Sequence, residues 1–343
     1  MRIGLSFDLK EAVKDSLSSE GQPEDALEEY DSRETVKGIA AAIEEMGHST
    51  VLLGGGREFL SAIQKERVDL VFNIAEGLGN YRSREAQIPG ILELLNIPYT
   101  GSDPLALAVS LDKAVTKSLV SLAGVMTPRW QVVNDADGLS EVDWTSFPFP
   151  VFVKPLHEGS SKGIRTGSKV DSPIQLMSAV PALIERYRQP VIVEEFIYGD
   201  EITTGVIGNS PARVLGIMRV IPKNADPNFV YSLEVKRDWE RLVDYECPAK
   251  LGFRVLEAIG DAALRVFNAL GCRDISRVDF RIGKDGTPYF LEINPLPGLN
   301  PRSGDIVIMA GKMGWTYSRL VSSVVDAALR RCGGESQSGH HLQ

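Results

Sequence analysis

Two runs of alternating residues, 275–282 and 288–294, are separated by the turn Gly283-Lys284-Asp285-Gly286, and this stretch restricts the fold more tightly than any other. Successive side chains of a strand point to opposite faces. Val278, Phe280 and Ile282 therefore share one face of the first run, and Arg277, Asp279 and Arg281 share the other. On the return, Tyr289, Leu291 and Ile293 are apolar, while Glu292 and Asn294 fall opposite. If the apolar faces coincide, Asp279, Glu292 and Asn294 converge beside Arg277, next to the turn Pro295-Leu296-Pro297-Gly298. Two carboxylates and an amide oxygen form a hard oxygen set, suited to Mg²⁺ bound together with phosphate oxygens. A solvated outer strand face is the other reading of the same alternation.

Two further pieces carry chemistry. Val151-Phe152-Val153-Lys154-Pro155 is an apolar strand ending in lysine, followed by Glu158-Gly159-Ser160-Ser161-Lys162-Gly163-Ile164. Such a strand and loop can aim an ammonium and several backbone N–H groups at phosphates. It lacks the Walker A spacing, and an ordinary hairpin connection has the same composition. Val191-Ile192-Val193-Glu194-Glu195-Phe196-Ile197, with Gly199-Asp200-Glu201 after it, can offer backbone groups to an adenine edge and a carboxylate to ribose hydroxyls. Acids at a strand end are also common.

Around these pieces the chain reads as alternating elements. Residues 2–7, 49–53 and 69–73 are short buried strands, and Val36, Ile39, Ala40, Ile43 and Met46 recur at helical spacing between the first two. Asp31 with Glu34 forms a capping box for that helix, and Gly47 stops it. Strands alternating with helices imply a parallel sheet covered on both faces. The acidic stretch 10–32 has no strong periodicity and reads as an exposed loop. Gly54-Gly55-Gly56 lacks dinucleotide-binding spacing and reads as a turn and helix start. A second, mixed unit follows Gly101, with a helix near 112–123, strands around Trp130, Val151 and Val191, and an amphipathic helix from about 252 to 270. A last helix near 315–329 precedes a polar tail, 333–343, expected to be disordered.

The length of 343 residues suits two or three units. A balance of 43% hydrophobic and 24% charged residues is that of a globular chain. The formal charge of −9 advertises no polyanion, so nucleic acid is not an expected partner. Cys247, Cys272 and Cys332 are scattered and odd in number, which reads as incidental thiols in a reducing compartment. No apolar run approaches the roughly 20 residues of a membrane span. Asp8 and Lys10 interrupt the start too early for a signal peptide. The expected location is cytoplasmic, with no membrane partner.

In their order and spacing the three pieces resemble the ATP-grasp superfamily, and within it the D-alanine:D-alanine ligase family. Asn96-Ile97-Pro98-Tyr99-Thr100-Gly101-Ser102, Asp112-Lys113 with Lys117, Glu234-Val235-Lys236 and Ser303 beyond Pro297-Gly298 add to the match. The resemblance covers roughly residues 70–312. It implies an ATP-grasp fold of α/β and α+β parts: an amino-terminal parallel-sheet domain (1–108), a central lid domain (109–190) and a carboxy-terminal catalytic domain (191–332). It implies ATP as co-substrate, two Mg²⁺ or Mn²⁺ ions on Asp279, Glu292 and Asn294, and a homodimer. By similarity Lys113 and Lys154 hold phosphates, and Ser161 belongs to the lid loop. Glu194 and the backbone of Phe196 meet adenine, Glu201 meets ribose, and Glu195 belongs to the same nucleotide-binding set. Lys236 reaches the γ-phosphate from a mobile loop, roughly 222–239. Arg277 and the N–H of Gly298 stabilise an oxyanion, and Ser303 with Lys236 holds the carboxylate of the attacking amino acid; Ser160 is retained as a catalytic residue, although the hydrogen-bonded Glu, Ser and Tyr trio it would join is not. The implied reaction joins an amino acid or other small carboxylate to an amino-acid amine through an acyl phosphate.

The departures cluster around the first substrate. The family's Gly-Gly-x-Ser-x-Glu stretch, whose acid orients the first ammonium, is replaced here by Phe7-Asp8-Leu9-Lys10-Glu11. Glu76-Gly77 stands where the family has His-Gly, followed by the insert Tyr81-Arg82-Ser83-Arg84-Glu85, and Arg237 stands where it has Tyr. Arg82, Arg84 and Arg237 suggest an extra anionic group on the first substrate, with ordinary exposed arginines as the plain alternative. Glu76 or Glu85 can instead replace the missing acid, which keeps D-alanine open. A small-molecule kinase and a non-catalytic nucleotide-binding module are the readings from other classes. Ser303 weighs against the first, and the intact set Asp279, Glu292 and Asn294 against the second.

Overall fold

In the computed structural model, residues 1–16, 21–224 and 226–338 are described. Three sheets organise the molecule. The first is parallel, with β1 (Arg2–Ser6) between β2 (Ser49–Gly54) and β3 (Leu70–Asn73). Helices cover both faces, as the alternation predicts. The helix Arg33–Glu45 and the last helix, Tyr317–Ser338, bury Val36, Ile39, Leu320 and Val324 against Ile3 and Leu5, while Phe59, Ile63, Ile88 and Leu92 pack on the other side against Val71. The chain's two ends thus share one core. The last helix also takes in the first part of the polar tail; residues 339–343 lie outside the described residues.

The second sheet has the order β4 (Trp130–Val133), β7 (Val191–Glu195), β5 (Val151–Pro155), β6 (Lys169–Val170). The boundary expected at 190/191 precedes β7, which pairs on both sides within this sheet, so that sheet runs past the boundary. The third sheet is antiparallel, in the order β10 (Val243–Glu246), β9 (Arg213–Pro222), β8 (Asp200–Ile207), β11 (Ile275–Ile282), β12 (Pro288–Asn294). Helix Phe253–Ala269 packs Ile259, Ala263, Val266 and Phe267 on one face of it. The opposite face carries Asp279, Arg281 and Glu292, which line a cavity together with residues of the second sheet.

Three local expectations change. The helix at 33 is capped by Ser32, whose Oγ accepts from the Thr35 N–H at 3.3 Å, in place of the Asp31/Glu34 box. The stretch 10–32 is not an exposed loop. Residues Lys10–Ser16 are helical, and Asp25, Glu29 and Tyr30 are buried; Arg84 and Lys162 satisfy the carboxylate of Glu29, and the Tyr187 hydroxyl that of Asp25. Residues 17–20 lie outside the described residues. The hairpin also contains a bulge: Asp279 pairs with Glu292 but Phe280 pairs with Phe290, which leaves Leu291 over. Phe290, not Tyr289 or Leu291, therefore enters the core with Phe280, and Leu291 turns into the cavity.

Candidate active site

Register puts the acids where alternation predicts. Asp279 lies directly across from Glu292, and Arg277 across from Asn294. Arg277 reaches back to Asp279 at 3.0 Å, out to Asp305 at 3.0 Å and to Glu292 at 4.0 Å. Burial, against the pull of Arg277, pushes Asp279 up to about 6. Burial would raise Glu292 as well, but Lys113, Lys154, Lys236 and Arg277 together hold it down at about 2. Asp279 Oδ1 is buried without a hydrogen-bond partner, and Asn294 Oδ1 accepts from the Leu296 N–H at 2.9 Å. Among the described residues no three His, Cys, Asp or Glu side chains are arranged to hold a metal. Two carboxylates and one amide oxygen remain, and the orphaned Oδ1 fits a hard cation.

A cavity of about 620 Å³ lies between the second and third sheets and brings together Lys154, Ser161, Glu194, Glu195, Phe196 and Glu201 with Lys236, Asp279 and Glu292. Ser161 and its neighbour Ser160 adopt left-handed backbone, φ 58° and 50°, in the loop after β5, where Ser161 lines this cavity. Glu194 lines this cavity, and its two oxygens stand 3.0 Å from Lys117 and 3.0 Å from Lys154, so its carboxylate is paired with two lysines. Sequence reading placed Arg281 on the alternating face with Arg277 but gave it no role. Its guanidinium stacks on Phe196 at 4.6 Å and meets Glu201 at 3.1 Å, fixing that wall of the cavity. Lys113 begins the helix Lys113–Leu122, capped by Asp112, and its ammonium lies 3.8 Å from Glu292.

A second, larger cavity of about 1180 Å³ adjoins it and shares Lys236 and Tyr231. Ser160, Arg277, Asn294, Gly298 and Ser303 line one side of it. Tyr30, Asp31 and Glu76 line the other, and Arg237 stands at its edge. A third space of about 440 Å³ continues past Glu76 and Ser160 to Glu85 and Lys113.

The three arginines are not brought together. Arg82 is 65% exposed and pairs with Asp112. Arg237 pairs with Glu28 at 2.6 Å. Arg84 is buried, bonded to Glu29 at 2.7 Å, Glu158 at 3.2 Å and the His157 carbonyl at 2.9 Å. Lys162 closes the same network on Glu29 at 2.7 Å and Glu158 at 2.5 Å. Among the described residues these three arginines therefore form no free cationic pocket for an extra anion. Sequence reading missed Asp25 and Glu29, since their partners lie more than fifty residues away; the Glu158/Lys162 spacing of four was the visible signal.

Comparison with known proteins follows the same lines. A family model described as the D-ala D-ala ligase C-terminus matches residues 119–326. The uncharacterized protein y4sG of Sinorhizobium fredii is 34% identical over 311 residues, 88% of this chain and 89% of that one. The D-alanine–D-alanine ligase of Aquifex aeolicus is 32% identical over 304 residues, 86% of this chain and 94% of that one. Among solved structures, D-alanine–D-alanine ligase from Bacillus anthracis complexed with ATP superposes with a TM-score of 0.72 at 23% identity, over 97% of this chain and 99% of that one. At that identity the likeness bears on the fold.

Proposed function

The chain belongs to the D-alanine–D-alanine ligase family of ATP-grasp proteins, and from that premise we propose how its residues divide the work of an ATP-dependent C–N ligase. The observation that carries the reading is the rung Asp279–Glu292, with an orphaned carboxylate oxygen, on the floor of a lysine-walled cavity between two sheets. ATP occupies that cavity. Lys154 and Lys113 face its phosphates, Glu201 its ribose, and Phe196, Arg281 and Leu291 flank its base. Asp279, Glu292 and Asn294 would hold Mg²⁺, which when bound offsets the phosphate charge.

The carboxylate of the first substrate, lying beside Ser160, attacks the γ-phosphorus and displaces ADP, leaving an acyl phosphate. Lys236, which lines both cavities, offsets charge on the transferred group. The amine of the second substrate, its carboxylate at Ser303, then adds to the acyl carbon. Arg277 and the Gly298 N–H receive the oxyanion. Collapse expels inorganic phosphate, the nitrogen loses a proton, and an amide remains. Each oxyanion donor is worth about 10²–10³ in rate.

The first substrate differs from D-alanine in this reading, because the acid that follows β1 in the family pattern is absent and its surroundings are rebuilt from Asp31, Glu76 and Glu85. The three sheets correspond to an amino-terminal, a lid and a catalytic unit. The protein is placed in the cytoplasm, and among the described residues no helix is long and apolar enough to cross a membrane. Exposed Leu94 and Leu105 supply an apolar surface for a homodimer. The test is ADP and phosphate release with a panel of amino acids, with the amide product identified by mass. Asp279→Ala and Glu292→Ala are expected to lose ATP consumption while keeping their circular dichroism; turnover at the parent rate in either variant overturns the assignment.

A further inference from the structure

Three acids at the first-substrate end have no ion-pair partner among the described residues. Asp31 and Glu76 line the larger cavity, and Glu76 also lines the adjoining space that ends at Glu85. Glu85 is only 7% exposed, and among the described residues no hydrogen bond or ion pair meets its carboxylate. A buried acid without a partner is costly unless the site is completed by something else.

The neighbouring cations do not complete it. Arg84 and Lys162 are matched by Glu29 and Glu158. Lys113 turns to Glu292, and Arg277 to Asp279 and Asp305. Of the other cations on the wall of the larger cavity, Arg237 is matched by Glu28 and Lys236 lies on the side shared with the first cavity, which leaves Lys10 at this end, where it partly offsets Asp31. Against it stand three carboxylates. An α-ammonium group calls for one acid, so this end presents more carboxyl groups than a neutral-side-chain amino acid would use.

We infer that the first substrate is a carboxylate bearing two cationic nitrogens, such as a diamino acid, with one nitrogen received at Asp31 and Glu76 and the other at Glu85. This rests on the ligase reading and narrows its substrate class. The inference reverses the suggestion drawn from the arginines in the sequence: their charge is consumed inside the protein, and the acids are left facing the substrate. Burial, together with neighbouring carboxylates, pushes all three acids upward, as expected of carboxylates awaiting a cation.

The test is ADP release by the full chain with ATP, Mg²⁺ and fixed D-alanine as amine. The first substrates are 2,3-diaminopropionate, 2,4-diaminobutyrate and ornithine, each set against the neutral 2-aminobutyrate in both enantiomers. At least one diamino acid is expected to exceed 2-aminobutyrate in kcat/KM by about ten- to a hundredfold, the range of one charge-assisted bond to a buried acid. Glu85→Gln and, separately, Glu85→Ala are expected to lower that preference ratio about tenfold, with product chirality showing which enantiomer enters. Equal or faster turnover of 2-aminobutyrate overturns the inference while leaving the ligase reading standing. A preference unchanged in both Glu85 variants overturns the assignment of the second nitrogen. Absence of ADP release across the whole panel overturns the ligase reading, and this inference with it.

Discussion

Glu29 and Glu85 are both buried, yet cations reach only one of them. Burial works against charge on Glu29, but Lys162 and Arg84 hold its carboxyl below the usual range. Glu85 lacks such contacts, and burial pushes it up to about 7 against the pull of Arg84. The two shifts have opposite consequences for stability. A carboxyl whose folded pKa is raised binds its proton more tightly in the native state than in the unfolded chain. Stability is therefore lost as pH climbs from the ordinary carboxyl range toward about 7, and the penalty is complete above it. Glu85→Gln removes that penalty. In ligand-free protein the variant is expected to melt a few degrees higher than the parent at pH 8, with most of the difference gone at pH 5. A gap equally wide at both pH values would show that Glu85 is not held in this state. The same contrast explains what the sequence could not reveal about residues 21–31. Asp25 and Glu29 look like solvated acids in a charged run, and only the arrival of Tyr187, Arg165, Arg84 and Lys162 makes their burial tolerable.

At the scale of elements, strand positions were legible where alternation was strong. β11 and β12 end where the runs 275–282 and 288–294 end, and the shared face of Asp279 and Glu292 follows from side-chain parity, whereas their direct pairing comes from the bulge between them and the turn. Parity fails at Leu291, because one extra residue in a strand changes its facing without changing its composition. The segment before Ser32 was illegible for a different reason: its structure comes from long-range ion pairs, which leave no period in sequence. Glu29 ties that segment to the loop after β5 through Lys162 and to the insert at 81–85 through Arg84. Asp25 adds to the first of these ties through the Gly163 N–H at 3.0 Å and Arg165 at 3.1 Å. Glu29→Ala leaves two buried cations to share Glu158. The expected cost is about 3–5 kcal/mol, the range for stripping one partner from a buried ionic network. Urea unfolding measures it, and a loss below about 1 kcal/mol would mean that the network is not what seats the segment. Double substitution with Lys162→Met should cost less than the sum, since the second change removes one orphaned charge.

Across the whole molecule, charge is distributed against its total. The chain carries a formal −9, yet Lys113, Lys154, Lys236 and Arg277 surround the space between the second and third sheets or its margins. The opposing walls belong to different sheets: Lys154 and Glu194 stand on the second, Asp279, Arg281 and Glu292 on the third. Anything bound to both walls joins the sheets, so nucleotide affinity appears as stability of the whole. Lys117 supports this from behind the cavity. It is fully buried and holds Glu194 at 3.0 Å, and Glu194 in turn holds Lys154 at 3.0 Å. Replacing Lys154 alters both the phosphate contact and this buried pair, so absolute melting temperatures of such a variant mix two effects. The shift produced by ligand separates them. A non-hydrolysable ATP analogue with Mg²⁺, at a hundredfold over its Kd, is expected to stabilise the parent by about 2.7 kcal/mol. The same concentrations should stabilise Lys154→Met by less than half as much, whatever the variant's own melting temperature. An equal ligand-induced shift in parent and variant would remove Lys154 from the nucleotide contact and leave it a role in the Glu194 pair alone.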